Sequence, residues 1–150
     1  MSRCGYIDDC DCDQWEMIKW RGQVASAIRG KRGQAFIMEL LDALEAMPEK
    51  RLIANTLSRP EPVYGPPEGP VGVCAIGSVG LKRGLDMSDL DPEDYDRVSE
   101  TFGIARQLVR EIEYENDEAW FGYDRTPEAR WQHMHDWAMK QLRPVPIDPA

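Results

Sequence analysis

Two short segments carry residue types that bind anions: Arg29-Gly30-Lys31-Arg32-Gly33 and Gly80-Leu81-Lys82-Arg83-Gly84. In each, an apolar run ends in a Lys-Arg pair followed by glycine. Two accounts fit this pattern. Basic side chains in a last turn, with a glycine after it, stabilise a helix C-terminus. Glycines also expose backbone N–H groups beside cations, which suits a phosphate or a carboxylate surface. Neither copy is a P-loop, because G-x-x-x-x-G-K-[S/T] is not matched and no strand precedes. Together with Arg21, the residues Arg29, Lys31, Arg32, Lys82 and Arg83 form a candidate basic binding set.

The opposite charge is gathered further along. From Asp86 to Glu118 there are twelve carboxylates against Arg97, Arg106 and Arg110, so this stretch carries −9, equal to the net charge of the whole chain. The stretch from Met17 to Met38 holds no acid and five cations. Such segregation marks either an interaction surface or charges that pair inside one fold. Asp89, Asp91, Glu93, Asp94, Asp96, Glu111 and Glu115 are the candidate acidic face. A face of this kind opposes basic surfaces, including those of nucleic-acid-processing proteins.

The residues with catalytic or metal chemistry do not assemble into a pattern. Cys4, Cys10 and Cys12 are spaced C-x5-C-x-C with Cys74 distant, which is no usual zinc spacing. The neighbouring Asp8, Asp9, Asp11 and Asp13 would raise thiol pKa values. His133 and His135 are two apart and face different ways on a helix. Glu111, Glu113 and Glu115 alternate and splay around a helix, and Gly77-Ser78-Val79-Gly80 falls short of a nucleophile elbow. The expectation is a protein that is not an enzyme and holds no metal or cofactor.

The elements that carry these residues read as helices. The chain has 150 residues, 42% hydrophobic and 30% charged, enough for one globular domain with a core. No run reaches the length of a membrane span. The N-terminus is acidic where a secretory signal is basic and then apolar, which predicts a cytoplasmic chain with reduced cysteines. Met17, Trp20, Val24 and Ile28 recur at helical spacing over about 14–29, and the glycines at 30 and 33 end or kink that helix. Phe36, Ile37, Leu40, Leu41, Leu44 and Met47 mark a second helix, and Glu49 to Leu57 is read as a short third. Residues 58–72 contain five prolines and form a loop. The glycine-rich 72–86 segment is read as a helix that approaches a neighbour closely rather than as a strand. Asp91-Pro92-Glu93-Asp94 reads as a helix start with Asp91 as cap, and Thr126-Pro127-Glu128 as another. The expected fold is mostly α: a compact single domain of about six helices, with an irregular arm at 1–13, a helical core over 14–142 and a tail at 143–150.

The segments WRGQVASAIRGKRGQAF, MPEKRLIA, VCAIGSVGLKRGLDM, LDPEDYD, FGIA, EYENDEAW and TPEARWQHMHDW resemble a family of small proteins encoded by tailed bacteriophages and prophages. The resemblance is specific in the 17–57 region and weakest in the cysteine-rich arm and the proline-rich loop. What it implies is genomic company, not a biochemistry: an accessory protein, in the bacterial cytoplasm, acting on a host protein or nucleoprotein complex, such as an anti-CRISPR-like inhibitor of host defence. The alternative reading is a small nucleic-acid-binding protein that uses the two Lys-Arg-Gly loops.

Overall fold

A computed structural model describes residues 14–59, 71–118 and 126–143. The expected arm with Cys4, Cys10 and Cys12, most of the proline-rich loop and nearly all of the C-terminal tail lie outside the described residues. The order is α1 (Gln14–Arg29), α2 (Lys31–Ala46), β1 (Ser58–Arg59), β2 (Gly72–Val73), α3 (Ala75–Arg83), α4 (Tyr95–Phe102), α5 (Arg106–Asp117) and α6 (Pro127–Gln141). The fold is mostly α, with six helices among the described residues packed in a compact bundle. The strands are two residues each and pair antiparallel, Ser58 with Val73 and Arg59 with Gly72.

Helix α2 is the central element and packs against α1, α3 and α6. Its stripe of Phe36, Ile37, Leu40, Leu41 and Leu44 is buried, as the i, i+3, i+4 spacing requires. Helix α5 lies on the other side of the core and packs against α1, α3, α4 and α6. Ile37, Leu40, Leu44, Ile76, Leu108, Ile112 and Met134 are fully buried between them.

Gly30 is the break between α1 and α2. Gly33, by contrast, lies inside α2, where a Cβ would sit 1.9 Å from the Ala27 carbonyl oxygen. Its missing side chain lets the start of α2 cross the end of α1 at backbone contact. Gln34 locks the crossing: its amide donates to the Ile28 and Gln141 carbonyls at 2.8 and 3.0 Å and accepts from Arg143 N at 2.9 Å.

Residues 49–57 are not the expected short helix. Their backbone groups are taken by distant partners instead: Leu52 N donates to Pro127 O at 3.0 Å and Ile53 N to Val73 O at 2.9 Å. Asn55 takes a left-handed φ of 66°, with its N–H donating to Asp117 Oδ1 at 3.1 Å. Asn116 anchors this strap. Its Oδ1 accepts from Ala75 N at the start of α3 (3.0 Å), while Nδ2 donates to Ile53 O (2.9 Å). Arg130 on α6 donates to Asn116 O and Leu52 O at 2.9 and 3.2 Å. Truncating Asn116 to Ala leaves a buried N–H and a buried C=O unsatisfied, so it is expected to lower unfolding free energy by about 2–4 kcal/mol. A urea midpoint unchanged from wild type would refute this account of the strap.

The start of α4 is also displaced from its expected place. Asp94, not Asp91, is the N-cap, accepting from Arg97 N at 3.3 Å. Asp91 accepts from Glu93 N at 2.9 Å in a turn before the helix. An aspartate that binds the N–H two residues on makes such a turn as readily as a cap. Thr126 caps α6 as expected, with Pro127 in the first turn.

Candidate functional site

The two Lys-Arg-Gly segments, alike in sequence, occupy opposite helix ends. Lys82 and Arg83 lie in the last turn of α3, and Gly84 closes it in the left-handed region at φ 73°. Lys31 and Arg32 instead open α2, where cations face the positive end of the dipole. Lys82 shares a cavity wall with Ala43 and Ala46. Ala46 stands fifteen residues beyond Lys31, about 22 Å along the axis of one straight helix. Lys82 thus lies toward the far end of α2, while Arg83 reaches Phe36 and Glu39, four and seven residues beyond Arg32 on the same helix.

Arg83 is committed to the fold. Its guanidinium grips Glu39 with two hydrogen bonds of 2.6 and 2.7 Å and lies 5.6 Å from the Phe102 ring centre and 6.0 Å from that of Phe36. The Glu39 carboxyl is held below its ordinary pKa by the hydrogen bond from Arg83. Arg21, Arg29, Lys31, Arg32 and Lys82 remain exposed.

The candidate acidic face divides in two. Glu111 and Glu115 are 4% and 8% exposed, so neither contributes to an outer surface. They sit one turn apart on α5, in a cleft of about 270 Å³ lined also by Trp20, Arg21 and Trp137. Glu115 Oε2 is 2.9 Å from His133 Nε2. His135, two residues on, reaches Glu45 instead and stacks on Trp131, so the two imidazoles part as their spacing requires. The i, i+4 spacing of Glu111 and Glu115 was a readable signal of a shared face, obscured by the alternation with Glu113.

The remaining acids form an exposed ridge. Asp86, Asp89, Asp91, Glu93, Asp94 and Asp96 are all exposed within eleven residues that contain no cation. Short internal hydrogen bonds set its shape: Asp86 Oδ1 accepts from the N–H and hydroxyl of Ser88 at 3.0 and 2.7 Å. Those bonds also hold the Asp86 carboxyl below its ordinary pKa. The turn at Asp91 and the cap at Asp94 fix two more of its carboxylates. Arg97 donates to the Asp89 carbonyl at 3.1 Å, and Arg106 comes within 3.5 Å of Asp96.

Beneath the ridge lies a group that sequence reasoning passed over. Glu113 is 5% exposed, and neither carboxylate oxygen has a hydrogen-bond partner among the described residues. Burial pushes its pKa up to about 8. Asp117 adds to the rise, Arg110 opposes it, and Glu93 and Asp91 on the ridge raise it further. Tyr95, at the end of the ridge, is pushed up to about 12 by burial and then by Glu113. The guanidinium of Arg110 lies 4.6 Å from the Tyr95 ring centre and 5.4 Å from that of Trp20. Six like charges on one exposed stretch give the ridge a negative potential toward solvent.

Cys74 is buried and serves as the N-cap of α3, its Sγ accepting from Gly77 N at 3.3 Å. Burial raises its thiol pKa to about 12, so it is not a ready nucleophile. Among the described residues, no group of three or more His, Cys, Asp or Glu side chains is placed to hold a metal. No helix among them is long and apolar enough to cross a membrane. No protein-family model matches the chain, and no curated protein or solved structure matches it.

Proposed function

We propose that this is a non-enzymatic interaction protein that docks a basic partner on the ridge of residues 86–96. The observation that carries the reading is the run of six exposed carboxylates within eleven residues that hold no cation. Hydrogen bonds within the turns hold the Asp86, Asp91 and Asp94 carboxylates in place, so docking on these three would cost little side-chain ordering. Surface charge of one sign accelerates encounter with the opposite sign and selects against acidic competitors. The resemblance to small phage proteins extends the proposal to a host protein or nucleoprotein complex as partner. Occupying its basic groove would exclude nucleic acid, as an anti-CRISPR-like inhibitor of host defence would.

The test is capture of bacterial host proteins on the immobilised chain at low salt, followed by affinity measurement on the recovered partner. An arginine- or lysine-rich protein is expected, with binding at least ~10-fold weaker on raising salt from about 50 to 300 mM. The Asp89→Lys/Glu93→Lys variant, altered at two exposed positions, is expected to fold and to lose the partner. Capture that survives both the salt and the charge reversal sinks the proposal. The alternative of direct nucleic-acid binding would use the exposed cations Arg21, Arg29, Lys31, Arg32 and Lys82. It would appear as a gel shift abolished by Arg32→Glu.

A further inference from the structure

Away from the ridge, helices α2 and α3 leave a cavity of about 180 Å³ between them. The cavity is lined by Ala43, Ala46 and the C-cap Met47 of α2, and by the i, i+3, i+4 stripe Ser78, Leu81 and Lys82 of α3. The small side chains at 43, 46 and 78 create the depth, and Gly72 lines it with backbone alone. Apolar surface is left open at the mouth, with Leu81 50% and Val71 45% exposed. An apolar cavity of about 150 Å³ is enough to hold a benzene ring.

The charge at this mouth runs against that of the protein. The chain as a whole carries −9, but the cavity edge carries Lys82 and Arg51 against Glu49 alone. Arg51 is 3.7 Å from Glu128 and 3.9 Å from Glu49, at ion-pair range. Lys82 makes no ion pair within 4 Å among the described residues, feels Glu39 of α2 at longer range, and reaches the solvent at the rim. Three carbonyls at the C-terminal end of α2, those of Leu44, Glu45 and Met47, already accept from a cation. The Lys50 ammonium donates to Leu44 O at 3.4 Å, to Glu45 O, and to Met47 O at 2.7 Å.

We infer that this cavity is a binding site for a small free molecule with an apolar body of about one aromatic ring and a single carboxylate. The ring occupies the space between Ala43 and Ser78 and covers Leu81. The carboxylate meets the Lys82 ammonium, a charge-assisted contact that a neutral or cationic head group cannot make. This site is independent of the acidic ridge.

The probe is 3-phenylpropanoate, compared with 3-phenylpropan-1-ol and 3-phenylpropan-1-amine, titrated into the full chain and followed through backbone amide resonances. The acid is expected to shift the amides of Ala43, Ser78 and Leu81 and to bind ~10-fold tighter than the amine. Lys82→Glu is expected to reverse that order. Ala46→Trp, at an exposed position of the last turn, fills the cavity and is expected to abolish binding while leaving the far-ultraviolet circular dichroism unchanged. The inference is overturned by equal binding of acid and amine, or by acid binding that survives Ala46→Trp. It is equally overturned if no probe moves these amides at millimolar concentration, or if a leucine-rich peptide moves them where the acid does not.

Discussion

Gly77→Ala is expected to destabilise the protein by about 4 kcal/mol or more, in the range where a single methyl group prevents folding. The same change in an ordinary helix position stabilises by about 0.5–1 kcal/mol. The sign is reversed by one neighbour. A Cβ at Gly77 would stand 1.9 Å from the Leu57 carbonyl oxygen and 3.2 Å from Val73 Cβ. The nearest atom is backbone, so no rotamer change relieves the overlap. Leu57 O also accepts from Cys74 N at 3.2 Å, and Cys74 caps α3. Displacing Leu57 therefore loosens the strap, the β1–β2 pair and the start of α3 together. Gly22→Ala is the matched control: its Cβ would meet nothing within 4 Å on an exposed face of α1. Thermal unfolding of both variants checks the contrast. Equal behaviour of the two would show that the approach of Leu57 is not what requires the glycine.

Stability is expected to fall as pH rises from about 4.5 to 8, and Glu113→Met is expected to remove most of that fall. In the unfolded chain this carboxyl ionises near 4.5, whereas in the fold it holds its proton to about 8. Between those values the folded state binds the extra proton, so alkalinity favours unfolding. The contribution is fully present below pH 4.5, declines through the window, and is constant above pH 8. A shift from 4.5 to about 8 sets a ceiling of about 5 kcal/mol. Water entering as the group ionises will reduce it. Methionine is near in volume, flexible and uncharged, so it fills the site without the desolvation cost. Urea midpoints at pH 5 and pH 8.5 test this: wild type and variant should diverge at the higher pH. Parallel curves would mean that the Glu113 carboxyl reaches solvent or a cation once ionised.

Much of the helical architecture was legible because it rests on local periodicity. The spacing of Trp20, Val24 and Ile28, and the denser stripe of α2, each specify a buried face wherever the partner lies. Thr126-Pro127 fixed a helix start because cap chemistry is local too. The 49–57 strap was not legible, since its backbone groups pair with Val73, Asp117 and Pro127, 20, 62 and 75 residues away. The candidate site shows the same division. Asp89 through Asp96 could be read as an exposed ridge from composition, but Glu111 and Glu115 differ from them only in what packs above them.

What the sequence determined by itself was charge segregation, helix content and the breaks at Gly30 and Gly84, because composition, spacing and chirality act within a few residues. What only the tertiary structure decided was the use of each charge. Lys31-Arg32-Gly33 and Lys82-Arg83-Gly84 are the same three residue types in the same order. One opens a helix with its glycine pressed on the Ala27 carbonyl, and the other closes a helix with its arginine on Glu39. A side chain carries its charge in any fold, but its partner, its burial and its proton depend on which distant segment comes to lie beside it.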